Sequence, residues 1–162
     1  MLKQIGITLL ISFFGLSVTY SQEVKVIDVA ELETILNEPS NQLRVINFWA
    51  TWCKPCIAEL PYFENAREAY KDKGVQFLLI SVDFADILET KVKKFAQKKN
   101  LQSQLFLLDE LDANKWVDKV STKWQGDIPA TLVINHAKGI REFHAKEFNQ
   151  ETLNALIEKH IQ

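Results

Sequence analysis

The chain has 162 residues, 47% of them hydrophobic and 25% charged, with 19 Lys+Arg against 21 Asp+Glu for a formal charge of −2. This is the composition of an ordinary globular domain, which excludes disorder, collagen and coiled coil, and a chain this long buries roughly 70% of its surface, enough for one core without staples. Near-neutral charge without a basic stripe leaves a nucleic-acid partner no electrostatic footprint.

The N-terminus reads as a secretory leader. Lys3 precedes an apolar or small-residue run from Ile5 to Val18, and Thr19 and Ser21 set up a cut before Gln22. The pattern predicts a signal peptide over residues 1–21 and a globular domain over 22–162. The run is shorter than the roughly 20 residues of a membrane span. A soluble extracytoplasmic protein without stable membrane insertion after cleavage is therefore expected, with an uncleaved N-terminal anchor as the alternative.

In the mature chain, a short apolar start at Val24–Ile27 leads to Asp28, placed to cap a helix carrying Val29, Leu32, Ile35 and Leu36 at helical spacing. Glu38-Pro39-Ser40-Asn41 ends that helix. Val45–Ala50 reads as a strand buried on both faces, and it runs directly into Trp52-Cys53-Lys54-Pro55-Cys56. A helix is predicted from there to about Lys73, then a buried strand over Val75–Asp83 and an amphipathic helix on Leu88, Val92, Phe95 and Ala96. Gln104–Leu108 is a predicted strand, Asp112 to about Val120 a helix, and Ala130–Asn135 a strand. His136–Gly139 turns into a last strand near Ile140–Phe148, and Leu153, Leu156, Ile157 and Ile161 give a closing helix its apolar face. Alternating strands and helices imply an α/β layer structure with an antiparallel hairpin at one edge.

The two cysteines, Cys53 and Cys56, enclose two residues, a loop too short to staple a fold effectively. A redox or a metal role remains, and zinc needs four ligands where the chain offers no second cysteine pair. A thiol at a helix N-terminus faces unpaired N–H groups that favour its thiolate, so Cys53 is the expected nucleophile. Cys56, one turn further in, is the expected resolving thiol. His136, His144 and His160 have no ligand spacing and read as surface residues; Trp116 and Trp124 read as core, and Trp49 as core or apolar docking surface.

The run Asn47-Phe48-Trp49-Ala50-Thr51-Trp52-Cys53-Lys54-Pro55-Cys56 resembles the active site of thioredoxin-like proteins, with Pro61 where that family kinks its helix. Gly126-Asp127-Ile128-Pro129-Ala130-Thr131 resembles the family's cis-proline loop, and Leu101–Trp124 resembles a segment of the exported TlpA/ResA-type thiol-disulfide reductases. The resemblance implies a thioredoxin-like fold: a central mixed sheet flanked by helices, with an inserted αβ segment before a cis Pro129. It implies a redox-active Cys53–Cys56 disulfide and a substrate surface of Trp52, Pro55, Ile128 and Pro129. Thioredoxin has a buried aspartate where this chain has Asn47, whereas Glu59 matches a glutamate of the TlpA/ResA type. Glu59 is expected to relay the Cys56 proton or to raise thiol pKa values, the alternative being a solvated helix charge. The stretch before the first helix leaves no room for the N-terminal β-hairpin of many such reductases.

The expected function is an exported enzyme that reduces disulfides of protein substrates. Strong oxidants of this fold carry a histidine between their cysteines, and Lys54-Pro55 supplies none, which favours the reducing direction. No nucleotide fingerprint is present, so no cofactor is expected, and electrons would come from a membrane thiol donor. A thiol peroxidase and a copper-binding module are the alternatives. Against the first, Ile46 and Ala50 stand where peroxiredoxins place proline and threonine; against the second, such modules usually have three residues between their cysteines.

Overall fold

The computed structural model describes residues 23–161. The predicted signal segment over 1–21 lies outside them. The elements are β1 (Val24–Ile27), α1 (Val29–Asn37), β2 (Leu43–Trp49), α2 (Lys54–Tyr70), β3 (Val75–Ser81), α3 (Lys93–Lys98), β4 (Gln104–Leu108), α4 (Val117–Val120), β5 (Ala130–Asn135), β6 (Ile140–His144) and α5 (Gln150–Ile161). They build a six-stranded sheet in the order β1-β4-β3-β2-β5-β6. The pairs β1/β4, β4/β3 and β3/β2 are parallel, and β2/β5 and β5/β6 are antiparallel.

Every residue of β2 is buried, because helices cover both faces of the sheet at its centre. Alternation sends Val45 and Trp49 into one core, with Leu60, Phe63, Leu153 and Ile157 from α2 and α5. Ile46 and Phe48 enter the other, with Leu32 and Leu36 of α1 and the tryptophans Trp116 and Trp124. Asp28 caps α1 through a capping box: its side chain accepts from Glu31 N–H at 2.8 Å while Glu31 reaches back to Asp28 N–H.

Three predicted elements differ. The amphipathic segment from Leu88 is a π turn over Leu88–Val92 and becomes α-helical only at Lys93, with no side chain capping either start. The helix expected over Asp112–Val120 is a 3₁₀ turn, Ala113–Lys115, followed by the single turn α4. Trp116 separates them with φ −135°, rotated out of helical geometry while its ring stacks on Phe48 at 5.9 Å and meets Trp124 edge-on at 5.2 Å. The last strand ends at His144 rather than Phe148, and Phe148 is buried beyond its end.

Three features place the loop entering β5 at one end of the sheet. The β2/β5 register pairs Asn47 with Thr131 and Phe48 with Ala130, so the residues just before β5 lie beside the end of β2. Trp124 Nε1–H donates to the Asp127 carbonyl at 2.7 Å, which ties the loop entering β5 to the tryptophan core. Gly126 has φ +87°, a left-handed conformation that this loop can adopt at a glycine without steric cost.

Candidate active site

The chain leaves β2 at Trp49 and makes a tight turn in which Cys53 N–H donates to the Ala50 carbonyl at 3.1 Å. Cys53 caps α2 in an extended conformation, its sulfur accepting from Cys56 N–H at 3.3 Å. Pro55 sits in the first turn, where its missing N–H costs the helix nothing, whereas Pro61 inside α2 removes a ladder hydrogen bond. Cys53 and Cys56 form a disulfide with S–S 2.01 Å and Cα–Cα 5.3 Å. Both are buried, Cys53 at the 5% edge of solvent and Cys56 without exposure.

The Ile128–Pro129 peptide is cis. The Ile128 carbonyl oxygen lies 3.8 Å from Cys53 Sγ, so the proline loop faces the outer cysteine directly. Pro129 is buried, Ile128 half-buried and Pro55 exposed. Trp52 stands 58% exposed beside the cysteines, whereas Trp49 is fully in the core and forms no part of a docking surface. Phe84, just past β3, is 55% exposed, a large apolar side chain on the protein surface that sequence reading passed over.

Glu59 is not a solvated helix charge: it has no solvent exposure at all. Asn47 Nδ2–H donates to its Oε1 at 2.7 Å and the Phe148 backbone N–H to its Oε2 at 2.8 Å. Burial pushes the carboxyl up to about 7, against the two hydrogen bonds, which favour the anion, and with a further push from the Glu147 charge. A buried carboxyl poised near neutrality can hold a proton or accept one. Asn47 therefore occupies the place of a buried aspartate by orienting a carboxyl supplied from α2, and Phe148 leaves the last strand to complete the pocket. Phe148 carried no sequence signal, since its contribution is a backbone N–H.

None of the three histidines is a free surface residue: His136 is exposed, but its Nδ1 lies 3.2 Å from an Arg44 guanidinium nitrogen. His144 and His160 are half-buried, with their Nε2 atoms 3.1 and 2.8 Å from Glu142, and Lys159 Nζ lies 2.8 Å from the same carboxylate. The Lys159 hydrogen bond is the chief reason that the Glu142 carboxyl falls to about 2, and burial lowers the His144 pKa. Among the described residues, no group of three His, Cys, Asp or Glu could hold a metal ion.

The mixed sheet, the disulfide at a helix N-terminus and the facing cis-proline define a thioredoxin-like protein. The AhpC/TSA family pattern matches residues 21–143, and the chain belongs to that family. Thiol-disulfide oxidoreductase ResA of Bacillus cereus (strain ZK / E33L) is 32% identical over 114 residues, covering 70% of this chain and 61% of the relative's length. A secreted Mycobacterium tuberculosis disulfide oxidoreductase homologous to Escherichia coli DsbE is 26% identical, with TM-score 0.57 over 74% of this chain and 83% of that one. A thioredoxin-related protein of Neisseria meningitidis serogroup B shares the fold at TM-score 0.64 and 22% identity, covering 76% of this chain and 88% of its own. Among the described residues no helix is long and apolar enough to cross a membrane.

Proposed function

We propose that this protein is a thiol-disulfide oxidoreductase that reduces disulfides of protein substrates outside the cytoplasm. The observation that carries the reading is a Cys53–Cys56 disulfide at the start of α2, opposite the cis-Pro129 loop and one turn from a buried carboxyl. In the reduced protein the Cys53 thiolate attacks one sulfur of a substrate disulfide. A mixed disulfide forms and the other substrate sulfur leaves as a thiolate that takes up a proton. Cys56 then gives its proton to ionised Glu59 and attacks Cys53 Sγ, releasing the second substrate sulfur. Two electrons pass from the Cys53/Cys56 dithiol to the substrate, and the protein ends as the disulfide seen here.

Trp52, Pro55, Ile128 and Pro129 form the surface that receives the substrate, with the proline loop offering its backbone to an extended segment. The residues between the cysteines support the reducing direction, since Lys54-Pro55 gives the thiolate no imidazole partner. Regeneration needs a thiol donor, and a membrane-held one suits an exported protein. Export is supported by the leader-like residues 1–21 and by the secreted M. tuberculosis neighbour.

With dithiothreitol as electron source, the protein is expected to accelerate reduction of insulin disulfides. Trp52→Ala should raise KM about tenfold with kcat within about twofold, the signature of lost substrate contact without lost chemistry. Turnover of hydrogen peroxide without any reduction of insulin would overturn the reading in favour of a peroxidase.

A further inference from the structure

We propose that Asp83 is a positioning residue for the Cys53 thiol, acting through Thr51 to fix the turn from which Cys53 attacks. The inference rests on Cys53 being the attacking sulfur. Asp83 is 1% exposed and lies two residues past the end of β3. Its Oδ2 accepts from Thr51 N–H at 2.8 Å and from Ser81 Oγ–H at 2.8 Å, and its Oδ1 accepts from Thr51 Oγ1–H at 2.7 Å. Asp83 N–H in turn donates to Ser81 Oγ at 3.1 Å. A buried carboxylate is costly unless it is hydrogen-bonded, and here all the donors come from two residues, Thr51 and Ser81, and the larger share from Thr51.

What Thr51 holds gives this grip its purpose. The Ala50 carbonyl accepts from Cys53 N–H, so Thr51 and Trp52 are the central residues of the turn that ends at Cys53. Gripping Thr51 at both backbone and side chain fixes the direction in which the turn delivers Cys53. That direction sets the sulfur 3.8 Å from the Ile128 carbonyl and 3.3 Å from Cys56 N–H. Asp83 is itself anchored by the sheet. Trp49 pairs with Ser81, and Val82 N–H donates to the Trp49 carbonyl at 2.9 Å, carrying the β2/β3 ladder one bond past its last paired residues. The centre of the sheet is thereby linked rigidly to the reacting sulfur.

The test uses the Cys56→Ser background, in which Cys53 is the only thiol, because the chain has two cysteines. Thr51→Val keeps the shape and the backbone bond but removes the Oγ1 donor, leaving Asp83 Oδ1 unpaired; Thr51→Ser keeps the donor. Each reduced protein is mixed with 5,5′-dithiobis(2-nitrobenzoate) well below its thermal midpoint, and the released aromatic thiolate is followed. Thr51→Val is expected to slow the reaction about tenfold, the scale of a misplaced reacting group, and Thr51→Ser to stay within about twofold of the parent. An unchanged rate in Thr51→Val, even with a lowered midpoint, would make the clamp structural only and overturn the proposal. A Thr51→Ser variant as slow as the valine one would overturn it too, since the hydroxyl would then not be what matters. Insulin reduction by the unmodified protein is scored separately. If it fails while the valine and serine variants still differ as expected, the oxidoreductase reading falls and the clamp stands.

Discussion

Replacing Cys53 with serine is expected to lower disulfide reduction roughly a thousandfold or more, because the step that forms the mixed disulfide loses its nucleophile. Cys56→Ser should lose turnover to a similar degree for a different reason. Cys53 still attacks, but nothing within reach displaces the substrate, so a covalent adduct accumulates and is visible by mass spectrometry. The asymmetry follows from the geometry. Cys53 caps α2 at the edge of solvent beside the proline loop, whereas Cys56 is buried one turn inside. Adducts that accumulate on Cys53→Ser and not on Cys56→Ser would reverse the two roles.

Glu59→Gln is expected to leave the fold intact and change two pH profiles. A nearby anion opposes forming a second one, so removing the charge should lower the apparent pKa at which Cys53 becomes reactive. It should also slow release from a mixed disulfide, by about 10²-fold, the usual scale of a lost general base. The stability profile follows from the carboxyl's rise from 4.5 to about 7 on folding. The folded state binds this proton more tightly than the unfolded chain, so the contribution is fully present below pH 4.5 and is lost as pH rises through about 7. The loss is on the order of 3 kcal/mol. Urea unfolding of the disulfide form, in which the cysteines do not titrate, should show it in the parent and not in the glutamine variant. Identical profiles for the two proteins, in both reactivity and stability, would remove Glu59 from the mechanism.

Much of this site was legible in the sequence because it is built from neighbours. A nearly continuous apolar strand, interrupted by Asn47 and running into two cysteines that enclose two residues and then a helix, places the reacting pair from sequence alone. The β5 segment and its turn were likewise readable from the break at Gly139 and the apolar run before it. Glu59 was readable as lying on the helical face of Cys56, but not its burial, since burial depends on Phe148, which is 89 positions away in the chain. Asn47 looked like the loss of an acid; only the β2/α2 packing shows it orienting one instead. Thr51 and Asp83 are not legible as a pair, because their partnership spans 32 positions and Asp83 lies outside the motif that contains Thr51. The helix expected over Asp112–Val120 failed for a related reason: tertiary packing of Trp116 outweighed local helical preference.

This cysteine pair is proposed to work as a reductant. The most direct test is the reduction potential, measured by equilibrating the protein with glutathione buffers of known ratio and counting reduced Cys53 and Cys56 by alkylation. A value near the thioredoxin end of the scale, roughly −270 mV, is expected, because no imidazole between the cysteines stabilises the thiolate. A value above about −180 mV, the level of protein disulfide isomerase, would contradict it and make the protein an oxidase or isomerase.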